Sequence, residues 1–329
     1  MSRRGKDIVC LAFYGKNRVM ASMRDVSVVF RKVGFFTFVM RVWQQLGEDS
    51  VFTWGAALAY AWLFATFPFL VFLLTLVPLL PEKFKPDVKA DVATVVNETL
   101  PQDASTLVMK QVDGVLDHPS ARGFLSFGLV LTIWAASGGM SMTMSALDKA
   151  YDVEKVRPYY RQRFIAIVLM IVCTVLLIMV MVLMPIGTGV LKWLIHRGKI
   201  FNSFYYLINV VRYFIALLLM FTLLAIIYYF GPSFKQKFQA VTPGAVFTIA
   251  VWLLLGAAFK LYLTKFGGAQ NYDKMYGAVA GAAILLLFFY IDALTLLIGA
   301  EINSEIDFAI TGARGDQPIP ESQKPAALK

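Results

Sequence analysis

Histidine and cysteine are nearly missing from this chain: its 329 residues hold two of each. His118 and His196 stand far apart, in no HExxH or Cys/His cluster, so the sequence offers no metal-ligand set of those kinds. Cys10 precedes the first apolar stretch and Cys173 lies inside a later one, which gives them no ready route to a disulfide. Charge is scarce too. Asp, Glu, Lys and Arg make up 16% of the residues, against about a quarter in an average soluble domain. A phosphate-binding P-loop, a GxGxxG fingerprint and a GxSxG elbow are also missing. With these signals gone, no catalytic residue, metal ligand or cofactor can be assigned, and a non-enzymatic protein is expected.

What fills the chain is apolar surface: 58% of the residues are hydrophobic and the mean hydropathy is +0.66. A helix needs about 20 apolar residues to cross a hydrocarbon core of about 30 Å. Six stretches qualify, at 52–80, 124–147, 164–191, 204–230, 244–266 and 277–302, which predicts an all-α polytopic membrane protein with six transmembrane helices. Pro68 falls inside the first, where a kink or tilt is expected.

Lys and Arg gather on the cytoplasmic side of a membrane. Residues before the first span hold nine and the connection between spans two and three holds five, whereas the loop 81–123 holds five against seven acids. Both termini are therefore expected in the cytoplasm and loop 81–123 outside. The net charge of +10 is accounted for by this bias and by anionic lipid headgroups, so membrane lipids rather than nucleic acid are the expected partners. Three regions follow. Residues 1–51 form a basic cytoplasmic segment in which Arg24 to Gly47 reads as one interfacial amphipathic helix. Residues 52–309 form the membrane domain, whose outer loop carries short amphipathic helices around Val88–Val96 and Leu107–Leu116. Residues 310–329 read as a disordered cytoplasmic tail.

One acid sits where lipid would penalise it. Asp292 lies fifteen residues past Gly277, about 22 Å along a helix. Gly281 and Gly299, eleven residues before and seven after it, return to nearly the same face at about 100° per residue. The stripe is small and polar, suited to meeting another helix, and Gly277 with Gly281 forms a GxxxG pair. Asp292 is thus either a helix-packing partner or part of a polar path. Lys260 and Arg212 lie near the outer ends of their spans and are expected to snorkel outward. Arg157, Arg161 and Arg163 face Glu301, Glu305 and Asp307 across the inner side, where a salt network is expected.

Three quoted segments carry a resemblance. "GAALAYAWLFATFPFL" from Gly55, "ALDKAYDVEKVRPYYRQRF" from Ala146 and the long run from Thr242 to Asp307 resemble, in order, motifs of the YihY/BrkB family of bacterial inner-membrane proteins. Where that family usually carries a "WLYLSA"-like run, this chain reads "FFYIDA", so Asp292 is a departure from the pattern. The resemblance implies a multi-pass protein of the bacterial inner membrane. Members have been labelled ribonuclease BN, a tRNA-processing activity, and others virulence factors linked to serum resistance. The expectation is non-enzymatic transport or passage of a lipid or other envelope component, beside the Gly281/Asp292/Gly299 stripe. An oligomeric membrane scaffold, in which that stripe joins copies of the chain, is the alternative; a nuclease, lacking an assembled ligand cluster, is disfavoured.

Overall fold

The structure, a computed structural model, describes residues 18–19, 22–76, 122–196, 202–234, 236–265 and 278–311. Eight helices occupy them: α1 (Met23–Val33), α2 (Phe35–Glu48), α3 (Val51–Leu76), α4 (Arg122–Ala150), α5 (Tyr159–His196), α6 (Asn202–Phe230), α7 (Pro243–Lys265) and α8 (Ala278–Thr311). A two-residue parallel pair joins β1 (Arg18–Val19) to β2 (Gln236–Lys237), with Arg18 opposite Gln236. The basic segment therefore has a structural partner that composition did not suggest.

Among the described residues, five helices contain stretches long and apolar enough to cross a membrane: Val51–Phe69, Val130–Ala150, Tyr159–Val180, Ile208–Phe230 and Leu285–Thr311. In α7 the apolar stretch is the shorter Pro243–Ala258. The outer loop with its expected amphipathic helices, and the tail beyond Thr311, lie outside the described residues.

Local chemistry sets the helix boundaries. The single helix expected from Arg24 to Gly47 is instead two, because Gly34 takes φ 83° and ψ 146°, a conformation open essentially to glycine alone. The ring of Phe30 then meets Phe35 and Phe38 edge-on, at 5.5 and 5.4 Å between centroids. A second break at Asp49 and Ser50, the latter at φ 52°, turns the chain from α2 into α3. α3 runs through Pro68 without ending, although the ring removes one backbone donor from the helix. α7 starts on Pro243, where a missing N–H costs nothing, and the Thr242 hydroxyl caps it by accepting the Ala245 N–H at 3.2 Å. α8 continues past Ile302, the expected end of the last span, to Thr311. In that stretch Glu301, Asn303 and Glu305 are buried.

The chain divides into two compact units. The first contains Met1–Gly55, Thr143–Leu255 and Asp292–Lys329, and the second Ala56–Met142 and Gly256–Ile291. In the second unit Gly139 lets α4 approach α3: a methyl there would stand 3.1 Å from the Ala65 Cβ and 3.3 Å from the Trp62 ring. Trp62 in turn meets Phe289 edge-on at 6.3 Å. The first unit holds the polar groups described next.

Candidate functional site

A close backbone approach in the first unit joins α7 to α8. A methyl on Gly244 would overlap the Gly299 carbonyl, and one on Gly299 would overlap the hydroxyls of Thr248 and Tyr228. Only glycine at both positions allows this seam. Around it the polar groups satisfy one another. The Tyr228 hydroxyl of α6 donates to the Leu296 carbonyl at 2.9 Å and lies 2.9 Å from the Thr248 hydroxyl. Thr248 also reaches the Thr295 carbonyl at 3.3 Å. One turn beyond Gly299, the Asn303 carbonyl accepts the Gly244 N–H at 2.8 Å, while its amide donates to Thr242 at 3.2 Å and Tyr151 at 3.4 Å. The start of α7 is thus held by two side chains, Thr242 and Asn303. Complete burial raises the Tyr151 hydroxyl well above its ordinary range, so it stays neutral.

A second set of polar contacts lies in the same unit. Asp148 at the end of α4 accepts both the backbone N–H and the hydroxyl of Ser233, at 2.5 and 2.6 Å. From the same connection Arg157 donates to the carbonyls of Phe230 and Gly231 at 3.0 Å, and also to that of Pro232. Phe230 ends α6 and the other two residues follow it, so the guanidinium sits at the negative end of that helix, where a cation is favoured. Burial lowers the Arg157 guanidinium from its ordinary value, with nearby Asp148 opposing that shift. Asp49, itself buried, pairs with Lys149 at 3.0 Å and accepts from Gln45 at 2.5 Å, tying the start of α3 to the end of α4.

The expected site residues separate into groups. Asp292 is half-buried and shares a face of α8 with Leu296, Gly299 and Asn303, at offsets of four, seven and eleven residues. Gly299 lies against α7 of the same chain. Gly281 lies in α8 with its surroundings undescribed, and Gly277 lies outside the described residues. Of the residues named for the inner-side salt network, Glu305 lies 3.8 Å from Arg41 of α2, Arg157 donates to the α6 end carbonyls, and Arg161 is exposed. Glu301 and Arg163 are buried and half-buried. Arg212 is 8% exposed, and its guanidinium lies over the Tyr213 ring at 5.1 Å. The Lys260 side chain is outside the described set. Tyr228, Thr248 and Gly244 were not singled out from the sequence. The one signal for them was Pro243-Gly244 opening an apolar run, a small residue at a helix start.

Helices of this length and apolarity, interlocked through buried polar seams, define a polytopic α-helical membrane protein. Comparison with known proteins then narrows the class. The Virulence factor BrkB family profile matches residues 42–324, and the chain belongs to that family. It is 31% identical over 254 residues, 76% of this chain and 88% of the relative, to a Bacillus subtilis protein named "Putative ribonuclease-like protein YfkH". Shorter matches reach UPF0761 membrane proteins: 33% identity over 78 residues in Pseudoalteromonas translucida, 24% of this chain and 25% of the relative, and 30% over 97 residues in Idiomarina loihiensis, 30% and 33%. No solved structure matches the chain.

Proposed function

We propose that this BrkB-family protein crosses the bacterial inner membrane six times with both termini in the cytoplasm, α7 supplying the sixth crossing. In this reading it is not an enzyme; it passes a lipid or other envelope component along the polar face of α8. The observation that carries the reading is Asp292, a half-buried carboxylate and the one charged residue within two turns on either side of it in α8, where only Tyr290 and Thr295 add polar groups. Acids at membrane depth are costly and mark pathways more often than packing. The seam at Gly299 closes that face towards one end, so passage requires α7 and α8 to part there. Membrane lipids are the expected partners, and no nucleic acid is.

The test is flux of fluorescent phospholipid and of small ions across proteoliposomes holding the purified chain, against Asp292→Asn and empty vesicles. Flux by the unaltered protein that falls at least about tenfold in the variant supports a path through Asp292. No flux from well-folded protein would favour the homo-oligomeric scaffold. That alternative now needs an interface other than Gly299, which α7 already covers. A nuclease reading draws on the name of the Bacillus relative. Against it, Glu301 and Glu305 are 0% and 1% exposed, out of reach of an RNA backbone.

A further inference from the structure

α2 has two faces. Phe38, Val42 and Leu46 are buried, while on the opposite side Phe36, Met40 and Trp43 are 86%, 60% and 65% exposed. Such a stripe in water would be an aggregation hazard. A second exposed group, Tyr159, Tyr160 and Phe164, opens α5. Both groups sit where an apolar membrane-length stretch begins, at Val51 and at Tyr159. Both are also fixed beside the end of α4: Asp49 pairs with Lys149 at 3.0 Å, and Gln162 donates to Ser145 at 2.8 Å. Both aromatic groups therefore belong to the first unit, on helices tied to the end of α4. Cations accompany them. Between residues 154 and 163 stand Lys155, Arg157, Arg161 and Arg163 against the single acid Glu154, and α1 and α2 carry Arg24, Arg31, Lys32 and Arg41 against Asp25 and Glu48.

We propose that the exposed face of α2 and the start of α5 together form a docking surface for the anionic headgroup layer of the bilayer. Aromatic rings settle at the headgroup level, and neighbouring cations favour anionic over zwitterionic lipid. The surface binds lipid whether or not the chain transports anything, so the proposal does not rest on the flux reading.

The experiment uses the full chain with Cys10→Ser and Cys173→Ser, carrying a fluorophore on a cysteine at position 36, 40 or 160 in turn. It is reconstituted in phosphatidylcholine vesicles with and without phosphatidylglycerol. Expected are quenching by lipids bearing a quencher near the headgroup and protection from aqueous iodide. Phosphatidylglycerol binding to the detergent-purified protein should weaken with salt and fall about fivefold for each charge removed in Lys155→Gln and Arg161→Gln. Both side chains are exposed, and the salt series on unaltered protein stands independently of the variants. Iodide quenching at all three positions in both vesicle types overturns the proposal, as does contact-dependent crosslinking of position 36 between copies. Equal binding of phosphatidylcholine and phosphatidylglycerol at every salt concentration overturns the anionic preference.

Discussion

Glycine at 299 is tightly constrained, since a methyl there meets the Gly244 backbone and two hydroxyls at once. Gly299→Ala is expected to lower unfolding free energy by about 1–3 kcal/mol, measured by denaturant titration in mixed micelles. Gly256→Ala is the control: a methyl there meets nothing within 4 Å, so the better helix former should be neutral or stabilising by up to about 1 kcal/mol. Tyr151 gives a pH dependence. Its folded hydroxyl ionises well above the ordinary value of 10.0, so above about pH 10 the unfolded chain loses this proton first. Stability present below pH 10 is then lost as pH rises. Unfolding midpoints taken from pH 8 to pH 11 should decline, and Tyr151→Phe should flatten part of that decline. The face holding Asp292 and Gly299 was legible because helical periodicity is written within one segment. Their partners were not. Which hydroxyl of α6 meets which carbonyl of α8 depends on how two helices dock, and neither helix's own spacing encodes that.

At the scale of elements, apolar length located the helices well, since 30 Å of hydrocarbon imposes a minimum that composition reveals. It failed where burial is by protein instead of lipid. α8 was expected to stop at Ile302, yet it carries Asn303 into the seam and Glu305 to within 3.8 Å of Arg41. Polar residues in that stretch carry no apolar signal for a span, and only tertiary partners make them interior. The break at Gly34 was missed for a related reason, as a lone glycine is tolerated in many helices. Asn303→Leu tests the element junction. It removes the acceptor of the Gly244 N–H at the start of α7, leaving a buried donor unsatisfied for about 1–3 kcal/mol. The expected result is a lower unfolding midpoint together with faster amide exchange at the first turn of α7, read by mass spectrometry.

For the whole molecule, charge distribution predicts sidedness. Single cysteines at positions 100 and 320, in a background without Cys10 and Cys173, should react with an impermeant maleimide from opposite sides of intact cells and inverted vesicles. The position in the acidic loop should react from outside and that in the tail from the cytoplasm. Labelling of both from one side would remove the six-crossing arrangement. The placement of α8 has a further bearing on how the protein is made. Its carbonyls, glycine and amide complete the polar groups of α6 and α7, yet α8 is translated after both. Until roughly the final fifty residues leave the ribosome, Tyr228, Thr248 and the exposed start of α7 have no seam to enter. Nascent chains arrested before Asp292 should therefore be held by the insertion machinery and degraded on release, measured by pulse-chase of arrested and full-length chains.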